Sequence, residues 1–290
     1  MTLFSVPHSL STERPSPVLP ANACDAHLHI LDARFTPAIT GTPTPANMTW
    51  DDYLLLQAHL GCSRAVIVQA KHYGFDNACL LDAIARSKGR ARGIAVVAPD
   101  ISDIELENLH QGGVRGLRFS LWNSGNAVAS WETLAPLAAR IYELGWHIQL
   151  HAAAEQLVAH ERLIDSLPTP LVIDHMGRLP PQQGLEHPAA QLLRRWLEEG
   201  KTWIKLSGAY LNSDSGAPNY APTLATARQL IEWAPQRLFW GSDWPHITEQ
   251  HKPDDAHLAN LLGEWAGKYR QQILVDNPAE FYGFVDVEGL

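Results

Sequence analysis

Cysteine and long apolar runs are scarce in this chain of 290 residues. The three cysteines, Cys24, Cys62 and Cys79, are odd in number and show no Cys-x-x-Cys spacing. This pattern indicates unpaired, mostly buried thiols in a reducing, cytoplasmic setting, not a disulfide framework. No segment approaches the roughly 18 consecutive apolar residues that a bilayer requires, so we expect no membrane-spanning helix.

Positive charge is also scarce. Lysine and arginine together number 22 against 31 aspartates and glutamates, which gives a net charge of -9. Surfaces that bind nucleic acid or anionic membranes need clustered Lys and Arg, so neither partner is expected. A small-molecule substrate is expected instead, and a local pocket for it can carry the opposite sign. The composition does not indicate an oligomeric state.

The first 20 residues, MTLFSVPHSLSTERPSPVLP, lack a basic flank followed by a long apolar run. They are rich in proline and serine, which predicts an arm over residues 1–20 and not a signal peptide. The remaining sequence contains no linker-like change in composition. Residues 21–290 are therefore expected to form one domain with a large core, since 46% of the whole chain is hydrophobic.

Eight short apolar or β-branched runs alternate with stretches of helical periodicity. Runs such as AVIVQ and LVIDH are almost continuously apolar, which is typical of strands buried on both faces of a parallel sheet. No Gly-x-Gly-x-x-Gly follows a strand, which argues against a dinucleotide-binding sheet. Eight βα units in this length favour an α/β fold of the single (β/α)8 TIM-barrel type. The predicted strands are Asp25–Ile30, Arg64–Gln69, Arg92–Val97, Val114–Ser120, His147–Ala152, Leu171–His175, Trp203–Ser207 and Leu238–Asp243.

Histidine and aspartate cluster where the predicted strands end. The first strand carries His27 and His29, which we expect on one face because alternate residues of a strand share a face. The fifth strand ends with His151, the sixth with His175 and the eighth with Asp243. These ends meet at the catalytic face of a (β/α)8 barrel. A single strand-end histidine is more often a hydrogen-bonded polar residue, but the joint arrangement favours a site for Zn²⁺ or a similar divalent ion.

Several motifs, in this order along the chain, resemble the amidohydrolase superfamily. They are DAHLHI, HIQLHA, VIDHMG and GSDWPH, and the last of them, with the ending NPAEFYGF, resembles the amidohydrolase-2 branch. Within that branch, VIVQA, ARGIAVV, GVRGLRFS and VIDHMGR are most similar to 2-pyrone-4,6-dicarboxylate lactonases and related sugar-lactone hydrolases and isomerases. The resemblance covers the chain after residue 20 and implies a TIM barrel distorted as in metal-dependent amidohydrolases.

The resemblance implies that His27, His29, His151 and Asp243 are metal ligands. It also implies that Asp243 moves protons and that His175 polarises or orients the substrate carbonyl, or acts as a further ligand. The fourth strand, VRGLRFS, has no Lys or Glu that would bridge two ions, so we expect one divalent ion, Zn or Mn. Metal-free operation stays open, because relatives with Tyr at the position of His151 can work without metal.

Cations near the strand ends are candidates for binding an anionic substrate. Arg118, at the end of the fourth strand, and Arg178, after the sixth, are best placed, because the planar guanidinium binds a carboxylate with two parallel hydrogen bonds. Lys205, on the seventh strand, either supports the site or belongs to a buried ion pair. Trp122 and Asn123 suit ring packing and hydroxyl groups of a sugar-derived or muconate-type lactone. Further substrate contacts are expected from Gln69, His72, Tyr73 and His246, the last of which would otherwise brace Asp243.

These features predict a hydrolase that opens a carboxylated lactone of the pyrone-dicarboxylate, muconolactone or sugar-acid type with activated water. Asp243 would take the proton of that water and return it to the leaving oxygen. Two enzymatic alternatives stay open: a metal-dependent decarboxylase of an aromatic or muconate-type acid, and a lactone isomerase that transfers protons without adding water. A barrel that only binds a metabolite or a protein is a third.

Overall fold

The computed structural model describes residues 6–10 and 13–285, and within them eight parallel strands form one sheet in chain order. Each strand pairs with the next one in the sequence, and helices separate them. The predicted (β/α)8 barrel is therefore confirmed. The strands are β1 (Cys24–Leu28), β2 (Arg64–Val68), β3 (Ala91–Ala95), β4 (Val114–Ser120), β5 (His147–His151), β6 (Leu171–Ile173), β7 (Thr202–Leu206) and β8 (Leu238–Trp240).

The barrel closes just beyond the end of β8. The amide of Asp243 donates a hydrogen bond of 2.8 Å to the carbonyl of His27, and the amide of His29 donates one of 2.8 Å to the carbonyl of Trp244. Leu28 and Trp244 form a parallel bridge between these bonds. The backbone bonds that join the first and last strands therefore belong to the residues that the sequence marks as functional.

Helix α1 (Trp50–Leu60) begins and ends at signals that the sequence carries. Before α1, the Thr49 side chain accepts a bond from the Asp52 amide and the Asp52 carboxylate accepts one from the Thr49 amide, a capping box. Gly61 then ends α1 in the left-handed conformation. The α-helices of the described residues are α1 (Trp50–Leu60), α2 (Ala78–Arg86), α3 (Asp103–Gln111), α4 (Trp131–Ile141), α5 (Ala154–Ala159), α6 (Glu161–Asp165), α7 (Pro188–Glu198), α8 (Ala221–Trp233), α9 (Asp255–Ala266) and α10 (Asn277–Tyr282).

Aromatic side chains close the end of the barrel where the strands begin. Trp203, near the start of β7, stacks on Phe239 of β8 with ring centroids 4.8 Å apart. Phe281 and Tyr282 of α10 pack against both His147 and Phe239. Because this end is filled by rings, access to the barrel interior is from the opposite end, where the strands finish.

Six of the eight predicted strands are longer than the observed ones, and three of these differences concern predicted site residues. β1 ends at Leu28, so His29 lies one residue beyond it, and β6 and β8 end before His175 and Asp243. His175 and Asp243 have φ angles of 50° and 64°, in the left-handed region that non-glycine residues rarely adopt. These turns stop the strand ladders, so both side chains project from sharp bends.

The three cysteines are buried and unpaired, as the sequence predicts. No helix in the described part of the chain is long and apolar enough to cross a bilayer. Part of the predicted arm packs on the barrel: Val6 is buried, and the carbonyl of Pro7 accepts a bond of 2.7 Å from the indole of Trp244. Residues 1–5 and 11–12 of the arm, and 286–290 of the domain, lie outside the described residues. The boundary between residues 20 and 21 stays a prediction.

Replacing Gly241 by alanine is expected to loosen the barrel closure. A Cβ at this position would lie 2.5 Å from the Cβ of His27 and 2.7 Å from its backbone nitrogen, so β1 must shift. We expect Gly241→Ala to lower the free energy of unfolding by about 1–3 kcal/mol, as overpacking does. Gly263→Ala in α9 is the matched control, since its Cβ would meet only Arg270 Nε at 3.9 Å. The control should gain up to about 1 kcal/mol in urea titrations, and equal stability of the two variants would contradict the prediction.

Candidate active site

A cavity of about 690 Å³ opens where the strands finish, opposite the aromatic end. Its size suits a small-molecule ligand. It is lined by residues that follow different strands, which is the usual place of the active site in this fold. The lining includes His29, Arg118, His151, His175, Arg178 and Asp243.

Asp243 lies at the centre of the polar groups. Its Oδ1 atom is 3.5 Å from Nε2 of His27 and 3.5 Å from Nε2 of His29. Its Oδ2 atom accepts a hydrogen bond of 2.7 Å from the hydroxyl of Tyr210. The two carboxylate oxygens therefore have different environments, one facing the histidines and one held by a phenol.

His175 connects the histidine pair of β1 with His151 of β5. Its ring centroid lies 4.8 Å from that of His27 and 4.8 Å from that of His151. Its Nδ1 atom is 2.9 Å from Oγ of Ser207. The side-chain amide of Asn212 donates a hydrogen bond of 2.8 Å to the carbonyl of His175. The left-handed turn at His175 is thus held by residues that follow β7. The five side chains predicted from the strand ends converge at this place: His27, His29, His151, His175 and Asp243.

Three of these residues offer donor atoms close enough to hold one ion. Donor atoms of His27, His175 and Asp243 all lie within 4.8 Å of one another. Nε2 of His27 and Nε2 of His151 are buried and have no hydrogen-bond partner, which is unfavourable unless a ligand satisfies them. The residues therefore fit a divalent cation. His29 and His151, predicted as ligands, flank this group, and the individual ligand roles stay predictions.

The ionisation states at the site also suit a cation. Burial lowers the pKa of His27 to about 3 and lowers the pKa values of His175 and His151. Burial raises the pKa of Asp243, but the nearby histidines outweigh it and hold that pKa well below its usual range. Neutral imidazoles and an ionised carboxylate are the forms that bind metal ions.

A buried polar group lies behind His27, away from the cavity. Oδ1 of Asp174 lies 3.3 Å and Nζ of Lys205 lies 3.4 Å from Nδ1 of His27, the ring nitrogen that faces away from Asp243. Nζ of Lys205 donates a hydrogen bond of 2.7 Å to Oε1 of Gln149. The side-chain amide of Gln149 in turn donates one of 3.1 Å to Oδ2 of Asp174. Lys205 is fully buried, 3.9 Å from Asp174, so the geometry favours the buried ion pair for this residue. Sequence reasoning missed Asp174, although it directly precedes His175.

The predicted arginines both lie at the cavity. Nη1 of Arg118 donates 2.7 Å to the carbonyl of Gln69, while its Nε is buried without a partner. The guanidinium of Arg178 lies 4.6 Å from the ring centroid of Trp122, and its Nη1 is buried without a partner. Trp122 in turn lies parallel to His151, with ring centroids 6.1 Å apart. Each arginine therefore retains N–H groups that no protein acceptor satisfies.

The remaining predicted contacts divide into two groups. His72 and Asn123 line the cavity with Trp122. Gln69, Tyr73 and His246 are not among the described lining residues, because their polar atoms bond elsewhere. The side-chain amide of Gln69 donates a hydrogen bond of 2.6 Å to the carbonyl of Asp76. The hydroxyl of Tyr73 donates one of 2.9 Å to the carbonyl of Asp32. Both ring nitrogens of His246 face protein groups. Their substrate roles stay predictions.

Two further lining residues, Lys71 and Tyr210, lie in the turns that follow β2 and β7. Lys71 follows β2, and its Nζ donates 2.8 Å to Asn126 Oδ1. Burial, with a smaller contribution from the nearby Arg118, lowers the pKa of Lys71 to about 8. Tyr210 follows β7 and contacts Asp243. The charged lining residues thus include three cations, Lys71, Arg118 and Arg178, and two acids, Asp243 and Glu249.

The fold and the cluster of histidines with aspartate define a TIM barrel with a candidate metal-binding active site, and comparison with known proteins specifies its family. The amidohydrolase family model matches residues 24–284. The chain belongs to the amidohydrolase family. This confirms the resemblance read from the motifs.

Curated relatives cover almost the whole chain. It is 35% identical over 286 residues to a 2-pyrone-4,6-dicarboxylate hydrolase of Comamonas testosteroni, covering 93% of this chain and 92% of the relative. It is 37% identical over 275 residues to a 4-sulfomuconolactone hydrolase of Rhizobium radiobacter, covering 92% of each. A D-galactarolactone isomerase of Agrobacterium fabrum is 26% identical over 280 residues, covering 94% of this chain and 95% of the relative.

A solved structure agrees with this assignment. The crystal structure of a probable 2-pyrone-4,6-dicarboxylic acid hydrolase from Acinetobacter baumannii, with citric acid bound, superposes with a TM-score of 0.79. The two chains are 27% identical, and the match covers 91% of this chain and 100% of the other. The barrel therefore has an architecture already seen in the crystal structure of a probable hydrolase.

Replacing Lys205 by methionine is expected to destabilise the protein strongly. The change leaves the buried carboxylate of Asp174 without its cation, and breaking a buried pair costs on the order of 3–5 kcal/mol. Arg194→Met is the matched control, because Arg194 pairs with Glu198 on the exposed face of α7, where such a pair contributes about 0.5 kcal/mol. Denaturant titrations measure both. If Lys205→Met were as stable as the control, the buried pair would not be a structural element.

Proposed function

We propose that this protein is a hydrolase that opens an anionic lactone with water in the cavity beside Asp243. The observation that carries the proposal is the ionised Asp243 carboxylate, which faces two histidines within a cavity bordered by Arg118 and Arg178. Its relatives from Comamonas and Rhizobium are named as hydrolases of a pyrone dicarboxylate and of a sulfomuconolactone. Both substrate names describe rings with anionic groups.

Asp243 is the proposed general base. It accepts a proton from water as the water oxygen bonds to the lactone carbonyl carbon, and it returns that proton to the ring oxygen as the ring C–O bond breaks. His175, which lines the cavity beside His27, is positioned to stabilise or orient the carbonyl oxygen. The product is an acyclic hydroxy or keto acid with one additional carboxylate.

One divalent ion, Zn or Mn, is proposed for the site. His27, His175 and Asp243 would hold it, with His29 and His151 beside them, since these residues supply converging donors and otherwise unsatisfied nitrogens. When bound, such an ion supplies Lewis-acid polarisation and activation of water. Neutral imidazole and carboxylate donors suit both metals, so elemental analysis has to decide between them.

The cations around the cavity support a substrate with more than one anionic group. Lys71 follows β2 and Arg178 follows β6, and these strands are four apart in an eight-stranded barrel, so the two residues border opposite sides of the opening. Arg118 lies between them on β4. Anionic groups bound at these positions would orient the lactone carbonyl towards Asp243.

Isomerisation of one lactone into another is the second candidate, because the D-galactarolactone isomerase of Agrobacterium fabrum is among the relatives. Isomerisation moves protons but adds no water. Decarboxylation is the third outcome that the same groups permit. A cytoplasmic location is also proposed, on the evidence of three buried, unpaired cysteines.

The decisive experiment is an assay of the purified protein on a panel of carboxylated and sulfonated lactones in H₂¹⁸O, together with elemental analysis before and after chelation. We expect acid release, one ¹⁸O in the product, and about one Zn or Mn per chain, as expected for a single site of this type. Asp243→Asn should lower kcat by a factor on the order of 10²–10⁴, the usual contribution of a general base.

Asp82→Asn, a change on the outer helix α2, controls for loss of charge alone and should leave kcat unchanged. Ring rearrangement without ¹⁸O would identify an isomerase, and release of CO₂ would identify a decarboxylase. Turnover of Asp243→Asn at the wild-type rate would refute the proposed base.

Arg178→Met is expected to weaken substrate binding more than catalysis. A charge-assisted hydrogen bond contributes about 1.5–3 kcal/mol, so KM should rise about 10- to 100-fold with a smaller change in kcat. Steady-state kinetics on the best lactone of the panel measure the change, with Arg194→Met as the control on an exposed helix face. An unchanged KM would show that Arg178 only packs on Trp122.

A further inference from the structure

Behind Asp243, three side chains form one continuous chain of hydrogen bonds. The hydroxyl of Tyr210 is 2.7 Å from Asp243 Oδ2 and 2.9 Å from Nδ1 of His246. The other ring nitrogen of His246, Nε2, is 3.0 Å from Oδ1 of Asp255. His246 and Asp255 are 1% and 0% exposed, so water does not compete for these contacts.

The chemistry of these groups gives the chain a direction. An ionised Asp243 can only accept, so the single hydroxyl proton of Tyr210 points to it. The phenol oxygen then accepts from His246, which requires a proton on Nδ1. One shared proton is left for the gap between Nε2 and Asp255. With one proton in each gap, each of the three contacts has a donor and an acceptor, and the donors on Tyr210 and on Nδ1 of His246 point towards Asp243.

The rest of the fold holds this chain in place. Asp255 is the first residue of α9, where the helix dipole favours a negative side chain. The amide of His246 donates 2.9 Å to the carbonyl of Asp243, and Nζ of Lys252 donates 2.5 Å to the carbonyl of His246. The two ends of the chain therefore belong to different elements, the closing turn after β8 and the start of α9.

We infer that Tyr210, His246 and Asp255 are positioning residues that hold Oδ2 of Asp243 and thereby keep Oδ1 facing His27 and His29. Tyr210 acts on the carboxylate directly, and the other two act by fixing the direction of its hydroxyl. A carboxylate without this bond is free to turn about its χ2 angle, which is a broad torsion. The inference rests on the proposed function in giving Asp243 the proton-transfer role.

The positions of Tyr210, His246 and Asp255 relative to the cavity indicate how each of them acts. Tyr210 lines the cavity, whereas His246 and Asp255 are not among the described lining residues. Along the side-chain hydrogen bonds, Asp255 reaches the Asp243 carboxylate through His246 and Tyr210, so we expect its effect on turnover to depend on Tyr210. Residues that act as one unit are non-additive, so removing the second after the first costs nothing more.

The test is a double-mutant cycle with Tyr210→Phe and Asp255→Asn. We expect Tyr210→Phe to lower kcat about 10- to 100-fold, the loss of one hydrogen bond to a charged group, with KM within about 2-fold. Asp255→Asn should lower kcat less, and the double variant should equal Tyr210→Phe alone. Tyr282→Phe is the matched control: its hydroxyl is buried without a partner at the aromatic end of the barrel, and kcat should not change.

Crystal structures of the variants provide a readout that does not depend on the substrate. In Tyr210→Phe we expect the Asp243 carboxylate to be rotated away from its wild-type orientation in an otherwise unchanged barrel. If the wild-type protein opens no lactone but this rotation is seen, the proposed function fails and the positioning role stands. Multiplicative losses in the double variant, a change confined to KM, or an unmoved carboxylate would overturn the inference.

Discussion

Two backbone hydrogen bonds between β1 and the turn after β8 connect the fold to the site. The Asp243 amide to His27 carbonyl bond and the His29 amide to Trp244 carbonyl bond join the first and last strands. They also place the one central carboxylate within 3.5 Å of both histidines of the first strand. Barrel closure and assembly of the site are thus the same event, so a chain that fails to close would also lack the site.

The site is supported from two sides by polar groups of different kinds. On the barrel side, Asp174 and Lys205 compensate each other's buried charge and orient His27. On the outer side, Tyr210 and the residues behind it bond to the second oxygen of Asp243. The first network contacts Nδ1 of His27 and leaves its Nε2 facing Asp243. The second network is proposed to set which oxygen of Asp243 is free. Both networks concern orientation, which is how a low-dielectric site gains catalytic advantage over water.

The whole chain has a negative net charge, whereas cations outnumber acids among the charged residues that line its cavity. The protein carries a net charge of -9, yet Lys71, Arg118 and Arg178 outnumber the acids among the charged lining residues. A locally positive opening on an acidic protein favours small anions.

The sequence by itself determined the barrel, its strand order and the convergence of five functional side chains, because strand-end residues of a (β/α)8 barrel meet wherever the helices between them lie. Only the tertiary structure decided which atoms face one another. Asp174 and Asp255 could not be assigned from spacing, since their partners are set by left-handed turns and by the start of α9. His246 illustrates the reason: its position in GSDWPH is evident, but the direction of its ring depends on contacts from two distant segments.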